Sequence, residues 1–189
     1  MIFAAGLGTR LKPLTDTLPK ALVPLAGKTL LQWQIEKLKA ENADYVLMVD
    51  NDVILQGDTL RNLLEQPVDV CLGFYAHRWG NVYNGRTNVC RLGEYNYTDM
   101  YSVEELRQLR ESGVYREQIH GGGLGCALIK TDVFNRIAFP YFKWTHYQDG
   151  NVLGEDLNFC ERCKEQNIPI YVDTRVGCQH LFRNYKGVM

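Results

Sequence analysis

The chain has almost no net charge. Its 21 Lys and Arg residues stand against 22 Asp and Glu, a balance of -1, which removes the bulk attraction that nucleic-acid and anionic-membrane binders use. Any anionic ligand must then be met by local groups, and no nucleic-acid partner is expected. No run approaches the roughly 18 apolar residues of a membrane span. The opening MIFAAGLGTR has neither the basic region nor the apolar stretch of a signal peptide, so a cytoplasmic location without a membrane span is expected. Internal repeats and low-complexity tracts are absent. A lone CxxC at Cys160 and Cys163 has no second pair at zinc-finger spacing and reads as i, i+3 neighbours on a helix. Several of the six cysteines lie inside apolar strand-like runs, where a free thiol behaves as a small hydrophobe, so buried thiols are expected in place of disulfides.

What is present is an alternation of strand and helix signals over 189 residues, a length suited to one domain spanning 1–189. A strand over 2–5 runs into the glycine-rich turn GLGTR and a proline-punctuated loop. Thr29 is placed to cap a helix over 30–40, with Leu31, Ile35 and Leu38 on one buried stripe. Strands are expected at 45–49 and 68–74, with a short helix capped by Asp58 between them. Ser102 with Glu105 forms a capping box for a polar helix to about 111. An apolar strand follows the glycines of IHGGGLG, then a short helix at 131–136, a helix over about 155–166, and a strand at 168–173. This pattern predicts an α/β layered domain, its mostly parallel central sheet flanked by helices.

The stretch YVLMVDNDV, at 45–53, ends an uncharged strand with two carboxylates. In open α/β sheets ligands bind beyond the carboxyl ends of the strands, so Asp50 and Asp52 stand at the edge of a candidate site. GLGTR offers backbone N–H groups to phosphates, with Arg10 and Lys20 adding charge. Each signal has a structural alternative when taken alone. The aspartates would cap a loop, Glu155 and Asp156 would complement a helix dipole, the glycine run at 121–123 would be a turn, and Trp144 would be core.

The run AAGLGTRLKPLTDTLPKALVPLAGKTLL resembles the opening of the sugar-1-phosphate nucleotidyltransferases. That resemblance implies Gly6, Gly8, Thr9 and Arg10 around a triphosphate and Lys20 at the reacting phosphate. From residue 44 to about 183, DYVLMVDNDV, HGGGLGCALIKTDVF and GEDLNFCERCKEQNIPIYVDTRVGCQHL resemble, in that order, family 2 type glycosyltransferases of the GT-A fold. This second resemblance implies a Rossmann-like GT-A type domain. It also implies Mn²⁺ or Mg²⁺ held by Asp52, Asp50 and His180, with Asp50 and Asn51 also on the nucleotide. Asp156 is the implied general base beside Glu155, and Gly122, Gly123 and Trp144 lie on the sugar.

The two resemblances meet near residues 40–44, and the chain reads as a splice of related architectures. The leading expectation is a metal-dependent, inverting glycosyltransferase that moves a sugar from a nucleoside-diphosphate sugar to an acceptor hydroxyl on a glycan or small molecule. The alternative is a sugar-1-phosphate nucleotidyltransferase, which makes the nucleoside-diphosphate sugar and pyrophosphate. A third reading is a non-catalytic nucleotide-sugar binding scaffold.

Overall fold

A computed structural model describes residues 2–3, 11–76, 85–93, 99–148 and 150–181. The first described strand is β1 (Ile2–Phe3); the ribbon of β2 (Pro24–Leu25) and β3 (Lys28–Thr29) then precedes helix α1 (Leu30–Ala40). Thr29 caps that helix as its residue type suggests, its hydroxyl accepting the Gln32 N–H at 3.1 Å. Strand β4 (Tyr45–Val49), the short β5 (Val53–Ile54), helix α2 (Thr59–Glu65) and strand β6 (Val70–Phe74) follow. Asp58 occupies the N-cap of α2 without a side-chain bond, and the Thr59 hydroxyl takes the Gln56 N–H instead, at 3.1 Å.

Strands β7 (Arg86–Arg91) and β8 (Met100–Ser102) lead into α3 (Val103–Glu111), whose Ser102–Glu105 capping box is complete. Then come β9 (Arg116–Gly122), β10 (Cys126–Lys130), the single turn α4 (Val133–Arg136) and a hairpin of β11 (Thr145–His146) with β12 (Val152–Leu153). Helix α5 (Glu155–Glu165), strand β13 (Ile170–Gly177) and β14 (Gln179–His180) complete the described chain. Among the described residues no helix is long and apolar enough to cross a membrane.

The α/β class is as expected. The eight-stranded sheet runs β1-β4-β10-β6-β13-β9-β7-β8 and is mixed rather than mostly parallel. Among the described strands only β1 with β4 and β6 with β13 pair in parallel. The physical reason is β10: it leaves β9 through a three-residue link, with no crossover helix to reverse the chain. It enters between β4 and β6 antiparallel to both.

Strand β4 feeds two cores, because successive side chains point to opposite faces. Val46 and Met48 join Ile35, Phe134 and Phe159 on one side, whereas Leu47 and Val49 join Leu63, Leu128 and Val176 on the other. Helices therefore cover both faces, and the uncharged run at 45–49 is explained. All six cysteines are free thiols; five are buried, Cys160 and Cys163 on the core-facing side of α5. Since β10 is antiparallel to its neighbours, its first residue, Cys126, lies opposite Val49 at the end of β4. The ends of β4 and β6 and the start of β10 thus open on one place.

Candidate functional site

The Asp-Asn-Asp turn begins where β4 ends. The Asp50 N–H donates to the Gly125 carbonyl at 3.0 Å, and the Val53 N–H donates to the Asp50 carbonyl at 3.1 Å, closing a tight turn. The two carboxylates part company there. Asp52 Oδ2 lies 3.6 Å from His180 Nε2, and the Asp52 carbonyl accepts the Leu181 N–H at 2.7 Å. His180 is placed by the pairing of β14 with β5, in which it lies opposite Val53; its Nδ1 is 3.3 Å from the Ala76 carbonyl. Asn51 is exposed.

Asp50 faces a different neighbour set, which the glycines of the β9–β10 link reveal. A Cβ on Gly125 would stand 2.6 Å from Tyr75 Oη and 2.8 Å from Asp50 Oδ2. One on Gly123 would stand 2.9 Å from the same Tyr75 Oη and 3.7 Å from Asp156 Oδ2. The Tyr75 phenol therefore sits between the two glycines, flanked by Asp50 and Asp156. It accepts the Gly125 N–H at 3.2 Å, while Asp156 Oδ2 accepts the Leu124 N–H at 3.1 Å. Gly122 serves another end: its Cβ would meet the Asn88 carbonyl at 2.5 Å, so its bareness lets β7 and β9 close.

Glu155 and Asp156 open α5, behind a Gly154 N-cap that offers no side-chain bond. Burial, then the charges of Glu155 and Asp50, push the Asp156 carboxyl up to about 7, against the pull of the Leu124 N–H. Burial, with Asp156 and Asp50 nearby, also holds the Tyr75 phenol well above its ordinary value. The Trp144 indole N–H donates to Glu155 Oε2. Trp144, Tyr147 and Val152 are exposed along the β11–β12 hairpin, which is tied to α5 by Asn158 Nδ2 donating to Thr145 Oγ1 at 2.8 Å.

The structure thus joins Asp50 with Asp156, Glu155 and Gly123, and separately joins Asp52 with His180. Lys20 is exposed in a 3₁₀ turn (Lys20–Leu22). Gly6, Gly8, Thr9 and Arg10 lie outside the described residues. Tyr75 and Asn88 belong to the site and were not singled out from the sequence. The available signal was that Tyr75, like Asp50, stands just past a buried strand.

Among the described residues no three His, Cys, Asp or Glu side chains converge closely enough to form a ready-made metal cage. Two crowded carboxylates, one with its proton held up to about 7, nevertheless fit a hard divalent cation. Mg²⁺ is typically bound through one or two carboxylates together with substrate phosphates. The donor set fits that pattern.

Residues 1–68 match the family model described as Nucleotidyl transferase. The match crosses 40–44 without a break and takes in GLGTR, Lys20, Asp50 and Asp52. A choline-phosphate cytidylyltransferase of Streptococcus pneumoniae is 43% identical over 61 residues, 32% of this chain and 27% of that protein. An N-acetylmuramate alpha-1-phosphate uridylyltransferase of Neisseria meningitidis is 56% identical over 39 residues, 21% of this chain and 17% of that one. Mannose-1-phosphate guanylyltransferase 1 of Arabidopsis thaliana is 42% identical over 65 residues, 34% of this chain and 17% of that one. The chain therefore spans about a quarter or less of the length of these relatives. The structure of A197 from STIV superposes with a TM-score of 0.53 at 18% identity, covering 81% of this chain and 66% of that one, a likeness of fold.

These matches correct the leading expectation. Sugar transfer from a nucleoside-diphosphate sugar does not stand. Asp50 and Asp52, which the second resemblance assigns to a glycosyltransferase cation, lie inside the nucleotidyl transferase match, and the named relatives are nucleotidyltransferases.

Proposed function

We propose that the chain catalyses nucleotidyl transfer. A phosphate oxygen of a sugar 1-phosphate attacks the α-phosphorus of a nucleoside triphosphate, the bond to the β-phosphate breaks, and the products are a nucleoside-diphosphate sugar and pyrophosphate. The observation that carries this reading is the unbroken match over residues 1–68, which unites the phosphate-type turn with Asp50. The matched relatives are named for cytidylyl, uridylyl and guanylyl transfer to choline phosphate, N-acetylmuramate 1-phosphate and mannose 1-phosphate. What those acceptors share is a phosphomonoester, and that is the acceptor chemistry proposed here.

In this reading the backbone of Gly6, Gly8 and Thr9 and the Arg10 guanidinium hold the triphosphate, and Lys20 offsets charge at the reacting phosphate. Asp50 and Asp156 would hold Mg²⁺ or Mn²⁺ together with phosphate oxygens. When bound, the cation neutralises the charge that gathers on the phosphates as the α–β bond breaks. Trp144, whose indole N–H is bonded to Glu155 and whose ring is exposed, would offer an apolar face to the sugar. Asp52 and His180 hold β14 on β5 and so close one side of the opening. Residues 1–189 act in this proposal as one nucleotide-sugar unit. The stretch beyond the family match supplies Gly123–Gly125 and Asp156.

The deciding experiment measures pyrophosphate released from a panel of nucleoside triphosphates with sugar 1-phosphates and Mg²⁺ or Mn²⁺. Release that falls about 10²- to 10³-fold in Lys20→Ala supports the reading. No pyrophosphate from any pair removes it.

A further inference from the structure

The link from β9 to β10 is tied at each of its three residues. Gly123 donates its N–H to the Asn88 carbonyl at 3.0 Å, and its own carbonyl accepts Asn88 Nδ2 at 2.9 Å. Leu124 donates its N–H to Asp156 Oδ2 at 3.1 Å. Gly125 donates to Tyr75 Oη at 3.2 Å, and its carbonyl accepts the Asp50 N–H at 3.0 Å. Both aspartates are thus bonded to one short stretch of backbone.

That stretch is in turn held by the side chains of Tyr75 and Asn88, two residues bonded to each other through their main chains and the Asn88 amide. The Tyr75 N–H donates to Asn88 Oδ1 at 2.9 Å, and the Asn88 N–H donates to the Tyr75 carbonyl at 3.1 Å. Asn88 Nδ2 also lies 3.4 Å from the Gly73 carbonyl, its weaker partner. Both residues are buried, Asn88 at 6% exposure and Tyr75 at 7%. Asparagine disfavours a strand interior, and its amide is costly to bury unless every bond is made. A phenylalanine would fill the same space against the His180 ring, whose centroid is 5.1 Å from that of Tyr75. Packing alone explains neither the amide nor the phenol.

We infer that Asn88 and Tyr75 are positioning residues, which set the separation and orientation of Asp50 and Asp156 by fixing the Gly123–Gly125 link. The inference rests on the nucleotidyl-transfer reading, in which those two carboxylates hold a divalent cation. A cation site tolerates errors of only about 0.5 Å in its ligands, so a loosened link is felt as weaker metal binding and slower turnover.

The test uses Tyr75→Phe, which removes one oxygen and keeps the ring. A control is Tyr101→Phe, which loses the bond from Tyr101 Oη to Glu117 at 3.2 Å in β8, at the edge of the sheet. Two quantities are read: affinity for Mn²⁺ alone, titrated by electron paramagnetic resonance, and steady-state pyrophosphate release. Tyr75→Phe is expected to weaken Mn²⁺ about fivefold and to lower kcat on the order of tenfold, with KM for the triphosphate within about twofold. Its thermal midpoint is expected to move no further than that of the control. Asn88→Asp, which keeps the volume and loses the donation to Gly123, is expected to weaken Mn²⁺ in the same direction.

Equal Mn²⁺ affinity in wild type and Tyr75→Phe overturns the inference, as does a wild type that takes up no Mn²⁺. If the wild type releases no pyrophosphate with any substrate pair, the nucleotidyl reading fails by itself. The Mn²⁺ titration then still decides the positioning role: weaker binding in Tyr75→Phe upholds it, and unchanged binding removes it.

Discussion

Leu124 donates its main-chain N–H to Oδ2 of Asp156 at 3.1 Å, and that bond ties the first turn of α5 to the link between β9 and β10. It is also the one influence that lowers the Asp156 carboxyl, which burial and the charges of Glu155 and Asp50 push up to about 7. The balance of these forces makes Asp156 a group whose charge costs the fold free energy.

The consequence is a stability that depends on pH in a defined direction. An Asp with a folded value near 7 holds a proton that the unfolded chain releases from about pH 4 upward. Its stabilising contribution is full below the ordinary carboxylate value and is lost as pH rises through about 7. Because the residue is only half-buried, about 2 kcal/mol is expected between pH 4 and pH 7. Urea unfolding of wild type and Asp156→Asn at both pH values measures it as a difference. The gap between the two proteins should change in favour of the variant as pH rises, and a pH-independent gap removes the claim.

The glycine of the link offers a steric test of the same site. A methyl group at Gly125 would be driven to 2.6 Å from Tyr75 Oη and 2.8 Å from Asp50 Oδ2, closer than such contacts are tolerated. Gly125→Ala is expected to cut pyrophosphate release at least tenfold. Gly57→Ala, where nothing lies within 4 Å of the added carbon, is expected to leave it near the wild-type rate. Equal rates in the two variants would show that the Asp50 side chain has no part in turnover.

Local chemistry was readable and tertiary chemistry was not. Helix 30–40 and the Ser102–Glu105 capping box follow from neighbours three residues apart, and both form as expected. Asp50 stood out because a charge ended an apolar strand. Tyr75 and Asn88 gave no such sign, since their role depends on β10 entering antiparallel between β4 and β6. That event also makes the sheet mixed. Gly122 misled for a related reason: it accommodates the β7 backbone at Asn88, a contact 34 residues back in the chain that no local pattern encodes. The glycosyltransferase expectation rests on segments from residue 44 onward, whereas the family match covers residues 1–68 and runs through Asp52.

Away from the site, a buried ion network fastens β13 to α2. Asp173 is fully buried and pairs with Arg116 and with Arg175, whose Nη2 lies 2.9 Å from Oδ2. Arg116 Nη2 also donates to the Asn62 and Leu63 carbonyls, at 2.9 Å each, satisfying groups near the end of α2. Arg116→Met strips those caps and leaves Asp173 with one partner. A loss of about 3 kcal/mol in urea unfolding is expected, since breaking a buried pair leaves an uncompensated charge. A loss below about 1 kcal/mol would mean that Arg175 alone suffices.

The thiols divide by environment, and labelling can read the division. Burial pushes Cys71, Cys90 and Cys163 each up to about 12 and holds Cys160 well above its ordinary value. Cys126 is raised by its bond to Cys178 and by burial, whereas Cys178 is lowered because the Cys126 thiol donates to it. Cys178 also keeps partial surface access, which none of the other five has. The thiolate is the nucleophile, so low value and access together select one cysteine. Under native conditions iodoacetamide is expected to alkylate Cys178 first, as read by peptide mass spectrometry. Cys126→Ala removes the donor and should slow that alkylation several-fold. Comparable labelling of Cys160 or Cys163 would mean that the packing of α5 on the sheet opens far more readily than its buried contacts allow.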